Sequence, residues 1–417
     1  MISASAWLLD LTRLVSRLGR GPLTGIDRVE LAYLQYLLAR REPLFALVRT
    51  ALGFVVLDRA GAGGMLDRVL GKVPLGPADL LGLMTQRHLP QALRAESDAR
   101  RLAVARCLSV RLGATLRRVL PCGAVYVNVG HANLSARVLR AIKSVVDARI
   151  VVLVHDTIPL DYPQYCRPGM ALAFAKKLAV VEGHADFVVH SAQCTRQQTE
   201  THFTRIPPGI VAPLGVDTTL RDAGAPVAAD CPYFVVLGTI EPRKNIGLLV
   251  KVWQKLQTIH GPVPHLYVIG NRGWAEPALF DDLAALVAGG HASVLHSLSD
   301  GAVVALLNGA SALLFPSYAE GYGLPPIEAA ALGVPVIAGN LPVVVEMLDD
   351  YPVYLDTSDV YAWTEAITQQ MKHQMPQHNA DRQIRVPPNW ADHFELVFGV
   401  SDTAVPRYVP SAEAGGL

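Results

Sequence analysis

The chain of 417 residues is 51% hydrophobic and 18% charged, which excludes general disorder and allows two or three domains. Its five cysteines are scattered without a C-x-x-C pair, which argues against a disulfide scaffold or a zinc ribbon and fits a reducing compartment. The net charge of +1 combines a basic part, with 27 Lys+Arg and 16 Asp+Glu in residues 1–217, and an acidic remainder, with 10 and 20. This asymmetry indicates two domains with different partners, and chance drift in surface charge is the alternative.

Apolar runs in the first half of the chain predict both helices and strands. Residues 26–38 have helical periodicity, and residues 78–118 predict a helix that is interrupted at Pro90. The remaining apolar runs are short, and most are rich in Val and Ile without alternation, which is typical of parallel strands covered on both faces. The strands predicted from these runs are 44–48, 54–57, 125–129, 150–154 and 187–189.

The second half of the chain repeats this alternation of strands and helices. Helices are predicted over 246–256 and 327–332. The predicted strands are 233–237, 266–269, 293–295, 312–315 and 334–337. Strands that alternate with helices favour parallel α/β sheets in both halves.

Composition divides the chain into two domains. A segment rich in Ala, Asp, Gly and Pro predicts a linker over 218–232, between an N-terminal domain (1–217) and a C-terminal domain (233–395). Residues 396–417 are a predicted tail that could return to the N-terminal domain. The N-terminus lacks the apolar segment of a signal peptide, and glycines and prolines break the longest uncharged run, so no membrane-spanning segment is expected.

Two glutamates in the C-terminal domain enclose a glycine-rich turn. Glu320 follows a predicted strand, and Glu328 lies eight positions later at the start of a predicted helix. Between them, Gly321 and Gly323 let backbone N–H groups approach an anion closely. Ligands bind at the carboxyl ends of strands in open α/β sheets, so the pattern predicts a site in which two carboxylates hold hydroxyls beside an anion. A turn without a ligand is the alternative.

Two cations follow the first predicted strand of the same domain. Arg243 and Lys244 lie on the loop before the helix predicted over 246–256. Two positive side chains beside a helix N-terminus suit a diphosphate, whose charge no single residue balances. The alternative is a solvated charged loop.

Together these motifs resemble the retaining nucleotide-sugar glycosyltransferases of family four, which have the GT-B fold. The resemblance rests on the two glutamates with seven residues between them, on Gly321-Tyr322-Gly323, and on the segment 241–245, Glu-Pro-Arg-Lys-Asn. It is most specific over residues 233–346. The further segments that resemble the family are 24–28, 154–159, 213–217 and 269–274.

The resemblance implies a fold and a role for individual residues. The implied fold is α/β, with two Rossmann-like parallel-sheet domains that face each other across a cleft, the first binding the acceptor and the second the nucleotide sugar. Four residues are implied in catalysis: Arg243 and Lys244 on the donor diphosphate, and Glu320 and His155 on the transferred sugar. The implied donor-binding residues are Gly25, Gly238, Glu241, Gly270, Asn271, Arg272, Gly321, Tyr322, Gly323, Leu324 and Glu328. Among them, Glu328 would bind the ribose hydroxyls and Gly25 would contact the diphosphate from the opposite domain.

The pair His155-Asp156 has two interpretations. The pair could be a catalytic dyad, because a histidine at a strand end in a cleft can hydrogen-bond a ligand or orient a base, with Asp156 on the acceptor side. Alternatively, the pair forms a capped turn in which Asp156 bonds its own backbone before Pro159.

Residues 87–118 form a basic segment with eight arginines and two acids. Basic segments with apolar positions bind anionic lipid, so we expect this one to contact an anionic membrane surface. An ordinary solvated helix face is the alternative. The segment lacks Phe, Tyr and Trp, which argues against nucleic acid as a partner.

We therefore expect a retaining, metal-independent glycosyltransferase that moves a sugar from a nucleoside diphosphate to a lipid-linked glycan in exopolysaccharide or lipopolysaccharide synthesis. Mannose from GDP-mannose is the preferred donor, and glucose, galactose or rhamnose from UDP or dTDP donors are alternatives. A sugar-nucleotide epimerase and a non-catalytic binding module are the other classes. No cofactor is expected, because the family needs none and the acidic pairs at 281–282 and 349–350 lack Asp-x-Asp spacing. The expected location is the cytoplasm, at the inner face of the cytoplasmic membrane.

Overall fold

The computed structural model describes residues 4–83, 90–216, 231–259, 261–372 and 384–399. Described residues up to 216 form an N-terminal half around one eight-stranded sheet, and those from 231 form a C-terminal half around one six-stranded sheet. Most of the predicted linker, and the tail beyond residue 399, lie outside the described residues.

The N-terminal sheet has the strand order β4-β3-β2-β1-β5-β6-β7-β8. Its strands are β1 (Trp7–Asp10), β2 (Leu44–Thr50), β3 (Gly53–Leu57), β4 (Ala103–Cys107), β5 (Val125–Asn128), β6 (Arg149–Val154), β7 (Phe187–His190) and β8 (Gly209–Val211). Its helices are α1 (Thr12–Arg17), α2 (Gly25–Ala39), α3 (Arg59–Val69), α4 (Leu80–Leu83), α5 (Pro90–Arg101), α6 (Leu112–Val119), α7 (Ala136–Lys143), α8 (Ile158–Asp161), α9 (Met170–His184) and α10 (Gln193–Thr201).

The C-terminal sheet has the order β11-β10-β9-β12-β13-β14, and all of its pairings are parallel. Its strands are β9 (Tyr233–Leu237), β10 (His265–Ile269), β11 (Ala292–Leu295), β12 (Ala312–Phe315), β13 (Val336–Gly339) and β14 (Val353–Leu355). The helices of this half are α11 (Ile246–Leu256), α12 (Pro277–Ala288), α13 (Asp300–Gly309), α14 (Leu324–Ala331), α15 (Pro342–Leu348), α16 (Val360–Lys372) and α17 (Trp390–Phe398).

Strands in the middle of both sheets are buried on both faces. Every residue of β5, β9 and β12 is buried, because helices cover the two sides of each sheet. This explains why the sequence shows continuous apolar runs without alternation at these strands. The parallel sheets predicted from those runs are confirmed.

One predicted helix is wrong in part. Within residues 78–118, the segment 103–107 is strand β4, which pairs antiparallel with β3 at the edge of the N-terminal sheet. On this strand Ala105 faces inward, whereas Val104 and Arg106 are exposed. Such one-sided burial is typical of an antiparallel edge strand, and β2 and β3 form an antiparallel hairpin beside it. The N-terminal sheet is therefore mixed at this edge.

The last described helix returns to the N-terminal half. On α17, the Phe394 ring stacks on Tyr36 with centroids 4.0 Å apart, and the Phe398 ring meets Trp7 edge-on at 4.8 Å. The hydroxyl of Tyr33 lies 2.8 Å from Nε2 of His393. The domain boundary predicted after residue 395 falls inside this helix. None of the helices in the described ranges is both long and apolar enough to cross a membrane.

Candidate active site

The carboxyl edges of the two sheets meet between β6 and β12. A Cβ placed on Gly321, after β12, would lie 2.6 Å from the carbonyl oxygen of His155, after β6. The hydroxyl of Thr195 donates to the Gly321 carbonyl at 3.0 Å, and that of Tyr322 donates to the Leu214 carbonyl at 2.9 Å. The tyrosine side chain is thus occupied between the halves, so a contact of Tyr322 with a donor would come from its backbone.

Two cations and one carboxylate form an ion cluster at this junction. Glu320 Oε2 lies 2.6 Å from Nη1 of Arg243, and Glu320 Oε1 lies 2.6 Å from Nζ of Lys244. Arg243 also contacts Glu241 at 2.8 Å and donates to the Ala319 carbonyl at 2.7 Å. Both cations lie on the single turn before α11, so two motifs 76 residues apart in sequence converge on one carboxylate. We call Arg243, Lys244 and Glu320 the ion cluster.

Burial and ion pairing have opposite effects on the pKa values of the ion cluster. Burial raises the pKa of Glu320, but Arg243 and Lys244 more than offset this and lower it to about 2. Burial lowers the pKa of Lys244 despite its contact with Glu320, whereas the carboxylates around Arg243 raise the pKa of that group against the effect of burial. Each carboxylate oxygen of Glu320 retains a second acceptor position, so a ligand hydroxyl can donate to it while both ion pairs persist.

Glycines bring backbone close to this cluster. A Cβ on Gly238, whose φ is 138°, would lie 2.8 Å from Cε of Lys244, and a Cβ on Gly270 would lie 2.0 Å from the Gly238 carbonyl oxygen. A side chain at Gly270 would push the ends of β9 and β10 apart, and one at Gly238 would displace the side chain of Lys244. Asn271 and Arg272 follow Gly270 and are exposed, and the Arg272 guanidinium lies 3.9 Å above the Phe280 ring.

The predicted ribose-binding residue also lies between the halves. Oε1 of Glu328, on α14, is 2.9 Å from Nη1 of Arg28, and Nη2 of Arg28 is 2.6 Å from Asp300. A Cβ on Gly25 would lie 3.2 Å from Leu324 Cδ1, so these two predicted donor-binding residues are in contact. Helix α14 begins after Gly323, which has φ 86°. The sequence motif 24–28 included Arg28 without assigning it a role, and Asp300 was not predicted.

His155 has a defined tautomer. The side chain is buried, and Nε2 lies 2.6 Å from the carbonyl oxygen of Val129, which can only accept. Burial lowers its pKa to about 4, so the ring is neutral at pH 7, Nε2 carries the proton and Nδ1 is an acceptor.

Asp156 accepts from the backbone N–H of Ile158 at 3.2 Å, as in the predicted turn. Burial raises the pKa of Asp156, an effect that nearby Arg243 opposes.

We expect His155→Gln to flatten the pH dependence of stability between pH 6.5 and pH 4. In the wild type, the unfolded chain takes up a proton near pH 6.5 and the folded chain only near pH 4, so stability is lost as the pH falls through this window. One histidine contributes a slope of up to about 1.4 kcal/mol per pH unit, and a glutamine amide can donate to Val129 without titrating. Urea denaturation across this range measures the slope, and equal slopes for the two proteins would contradict the assignment.

Two tyrosines form a contact between the halves that the sequence did not reveal. The rings of Tyr165, after α8, and Tyr318, after β12, stack with centroids 4.6 Å apart and an angle of 5° between their planes. Next to Tyr165, burial raises the pKa of the Cys166 thiol, Asp156 raises it further, and Arg243 opposes this effect. Two tyrosines so far apart in sequence carry no local signal of their pairing.

The chain resembles known glycosyltransferases over part of its length. Residues 222–386 match the family model described as glycosyl transferases group 1. The chain is 27% identical over 227 residues to the serotype-specific mannosyltransferase WbdA of Escherichia coli, which covers 48% of this chain and 27% of the relative. It is 32% identical over 140 residues to the O-antigen chain mannosyltransferase B of Escherichia coli, which covers 34% and 37%. The chain thus matches well under two thirds of the length of these curated relatives.

The fold is similar to that of a solved structure with a bound nucleotide sugar. HepE of Anabaena, solved in complex with UDP-glucose, superposes with a TM-score of 0.59 at 13% identity and covers 88% of this chain and 90% of that chain. At this identity the likeness concerns the fold. The predicted GT-B fold and the resemblance to the family-four glycosyltransferases are confirmed by the two sheets and these matches.

Proposed function

We propose that the protein is a retaining glycosyltransferase that uses a nucleoside diphosphate sugar. The observation that carries the proposal is the ion cluster at the meeting point of the two sheet edges. The match of residues 222–386 to glycosyl transferases group 1 supports the reaction class, because this segment contains all three residues of the cluster.

The chemistry of sugar transfer requires charge at two points. Breaking the sugar–phosphate bond leaves negative charge on the nucleoside diphosphate, which Arg243 and Lys244 stabilise from fixed positions. Positive charge develops on the sugar ring beside Glu320, and Nδ1 of His155 accepts a hydrogen bond from a sugar hydroxyl. The departing phosphate oxygen takes the proton of the acceptor hydroxyl, so no protein base is required. The two cations also supply the charge that a metal ion would provide, and the proposed reaction needs no metal and no other cofactor.

The proposed donor is GDP-mannose and the proposed acceptor is a lipid-linked glycan of a bacterial surface polysaccharide. Both curated relatives are named mannosyltransferases, which supports mannose, and the name of the second refers to the O-antigen chain, which supports a surface polysaccharide as the product. The alternative donors are UDP- and dTDP-linked glucose, galactose and rhamnose.

Thermal stabilisation by a panel of nucleoside diphosphate sugars identifies the donor. A ligand that binds only the folded state raises the melting temperature with the logarithm of its concentration. Transfer from the stabilising donor to a glycan acceptor then tests the reaction class. A change of the sugar without transfer would indicate an epimerase, and binding without turnover would indicate a binding module.

We expect Glu328→Gln and Glu320→Gln to separate nucleotide binding from sugar binding. Glu328→Gln should weaken binding of the bare nucleoside diphosphate about tenfold, because a charged acceptor for the ribose hydroxyls is lost. Glu320→Gln should leave bare nucleotide binding within a few-fold and lower the rate with the full donor. Titration calorimetry and initial rates measure the two effects. The reverse pattern would mean that the two roles are exchanged or wrong.

Three arginines of the basic segment make contacts within the chain, which leaves them less available to the proposed membrane surface. Arg94 donates to the carbonyls of residues 75 and 76, the buried Arg100 pairs with Asp79, and Arg101, whose side chain is 40% exposed, pairs with Asp98. The remaining described arginines of the segment are exposed and have no ion-pair partner among the described residues. They are Arg106, Arg111, Arg117 and Arg118.

Apolar side chains accompany these four arginines. Val104, Leu108 and Val110 are 52%, 62% and 82% exposed, next to arginines in β4 and the turn after it. Both acids of the segment, Glu96 and Asp98, are buried, so the segment exposes arginines and no acidic side chain. We propose that this basic edge surface, the four arginines with these three apolar residues, attaches the protein to the inner face of the cytoplasmic membrane.

We expect the protein to sediment with anionic vesicles and not with neutral ones. Changing Arg106, Arg111, Arg117 and Arg118 to Gln should abolish this binding, because each basic residue near an anionic surface contributes about 1 kcal/mol. The binding should also weaken with salt. Arg137→Gln and Arg140→Gln on α7 form the matched control. Equal sedimentation of the fourfold variant and the wild type would leave the basic edge surface as solvated surface.

A further inference from the structure

A second group of cations lies at the carboxyl edge of the N-terminal sheet. Arg13 is on α1, which follows β1, Arg49 is near the end of β2, and Lys177 is on α9. Strands β1, β2, β5 and β6 run parallel, so their carboxyl ends share the edge at which His155 faces the C-terminal half. We call Arg13, Arg49 and Lys177 the edge cations.

Direct contacts connect two of the edge cations with the loop beside His155. Nζ of Lys177 donates to the carbonyl of His131 at 3.2 Å, and the His131 ring lies 5.0 Å from that of His155. A Cβ placed on Gly130 would lie 3.0 Å from Cβ of Arg13. Lys177 and Arg13 therefore flank the loop after β5, and Arg49 is close enough to Lys177 for its charge to lower the pKa of that lysine.

The edge cations carry more positive charge than their surroundings neutralise. Arg49 and Lys177 have no carboxylate partner among the described residues, and Arg13 shares Asp27 with Arg17 at 2.7 and 3.1 Å. Arg49 is also exposed.

Two buried acids beneath this edge, Asp10 and Glu30, form no ion pair with the edge cations among the described residues. Burial, strengthened by repulsion from Asp10, raises the pKa of Glu30 well above its usual value. Burial also raises the pKa of Asp10, whose carboxylate is occupied by hydrogen bonds from Tyr126 and Asn133, each at 2.7 Å.

The edge cations repel one another, and the two histidines beside them add no charge at pH 7. Burial, together with repulsion from Arg13 and Arg49, lowers the pKa of Lys177. His131 and His155 are neutral at pH 7, because burial lowers the pKa of His131 to about 3 and that of His155 to about 4. Cations that repel one another at a ligand-binding edge are stabilised when an oxyanion bridges them.

We propose that the edge cations bind an anionic group of the acceptor, either a phosphate of its lipid carrier or a carboxylate of an acidic sugar. The inference rests on the proposed function, since it assigns the acceptor to the N-terminal edge. It places the anion near His155 and the donor diphosphate at Arg243 and Lys244, so the two anionic groups occupy separate cation sets on opposite halves. The acceptor hydroxyl is thereby held between the two sets.

Titration calorimetry with farnesyl diphosphate as the probe tests the proposal. The double variant Arg49→Gln/Lys177→Gln should bind the probe at least tenfold more weakly than the wild type, because each charge-assisted contact is worth about a tenfold change or more. Lys176→Gln, at the exposed neighbouring lysine on α9, is the matched control and should bind normally. Arg49→Gln alone, at an exposed position without a carboxylate partner among the described residues, gives a weaker effect in the same direction if the double variant folds poorly.

The same titrations distinguish a phosphate from a carboxylate as the bound anion. They also distinguish a failure of this inference from a failure of the proposed function. Methyl glucuronide replaces farnesyl diphosphate in a second series, and a loss of affinity in the double variant for this probe alone assigns a carboxylate. Binding of the nucleoside diphosphate should depend on Arg243 and Lys244 and not on Arg49 and Lys177. If the wild type binds no nucleoside diphosphate, the proposed function is overturned, whatever the result with the two probes. Equal affinity of the wild type and the double variant for both probes, or no binding of either probe, overturns the inference.

Discussion

Arg243→Ala and Lys244→Ala are each expected to lower turnover of the donor by about a hundredfold or more. Both cations lie 2.6 Å from Glu320, and in the proposed reaction they stabilise the negative charge that develops on the departing diphosphate. Removing one fixed group that stabilises such charge costs about 10²–10³ in rate in other enzymes. Initial rates with saturating donor measure the effect. Turnover of the double variant near that of the wild type would eliminate the diphosphate assignment.

Stability must be measured alongside these rates. Each substitution leaves Glu320 buried with one cation instead of two, which should lower the free energy of unfolding by about 1–3 kcal/mol. Rates should therefore be compared well below the melting temperature of the variants. Lys251→Ala is the matched control, because this lysine is exposed on the helix that follows the same turn. It should change neither rate nor stability appreciably.

Gly321→Ala is expected to reduce turnover by about a hundredfold, because the added methyl group would keep the two halves from approaching each other. The new Cβ would lie 2.6 Å from the His155 carbonyl oxygen and 3.0 Å from Cβ of Asp156. The first of these neighbours is backbone and cannot rotate away, so the edges of the two sheets must move apart. A displacement on the order of 1 Å in an active site can cost about a hundredfold in rate.

An exposed glycine of the N-terminal half provides the control. Gly183 lies in α9, and a Cβ placed on it would meet no atom within 4 Å, so Gly183→Ala should leave turnover unchanged and stabilise the helix slightly. Small-angle scattering of Gly321→Ala with donor present reports whether the halves still close. Normal turnover and normal closure would show that the contact between Gly321 and His155 is dispensable.

The core of the candidate site could be predicted from local sequence. Each residue of the ion cluster lies in the loop that follows a short apolar strand. Arg243 and Lys244 follow β9, just before α11 begins, and Glu320 follows β12, next to Gly321. In a parallel sheet, the ends of β9 and β12 are adjacent, so residues at those ends must come together once the sheet forms. The pairing of both cations with one carboxylate follows from this neighbourhood.

Contacts between the halves could not be predicted in the same way. Arg28 meets Glu328 across 300 residues, and Tyr165 stacks on Tyr318. None of these residues lies in a pattern that identifies its partner, because the distance between two separately folded sheets depends on how their surfaces pack. The group of edge cations within the N-terminal half could not be predicted either, since Arg13, Arg49 and Lys177 come from three distant segments.

What the sequence determined by itself is the repeating strand–helix order and the chemistry at the strand ends of the C-terminal half. Those features depend on the periodicity of apolar residues and on short motifs, which act over a few residues of chain. The tertiary structure alone decided that β4 is an edge strand, that the return to the first half begins with α17 at Trp390, before the predicted tail, and that three arginines of the basic segment are engaged within the chain. Each of these depends on contacts that local sequence patterns do not specify. An arginine that pairs with a buried acid and an arginine that faces solvent are identical in sequence, and only the packed surroundings distinguish them.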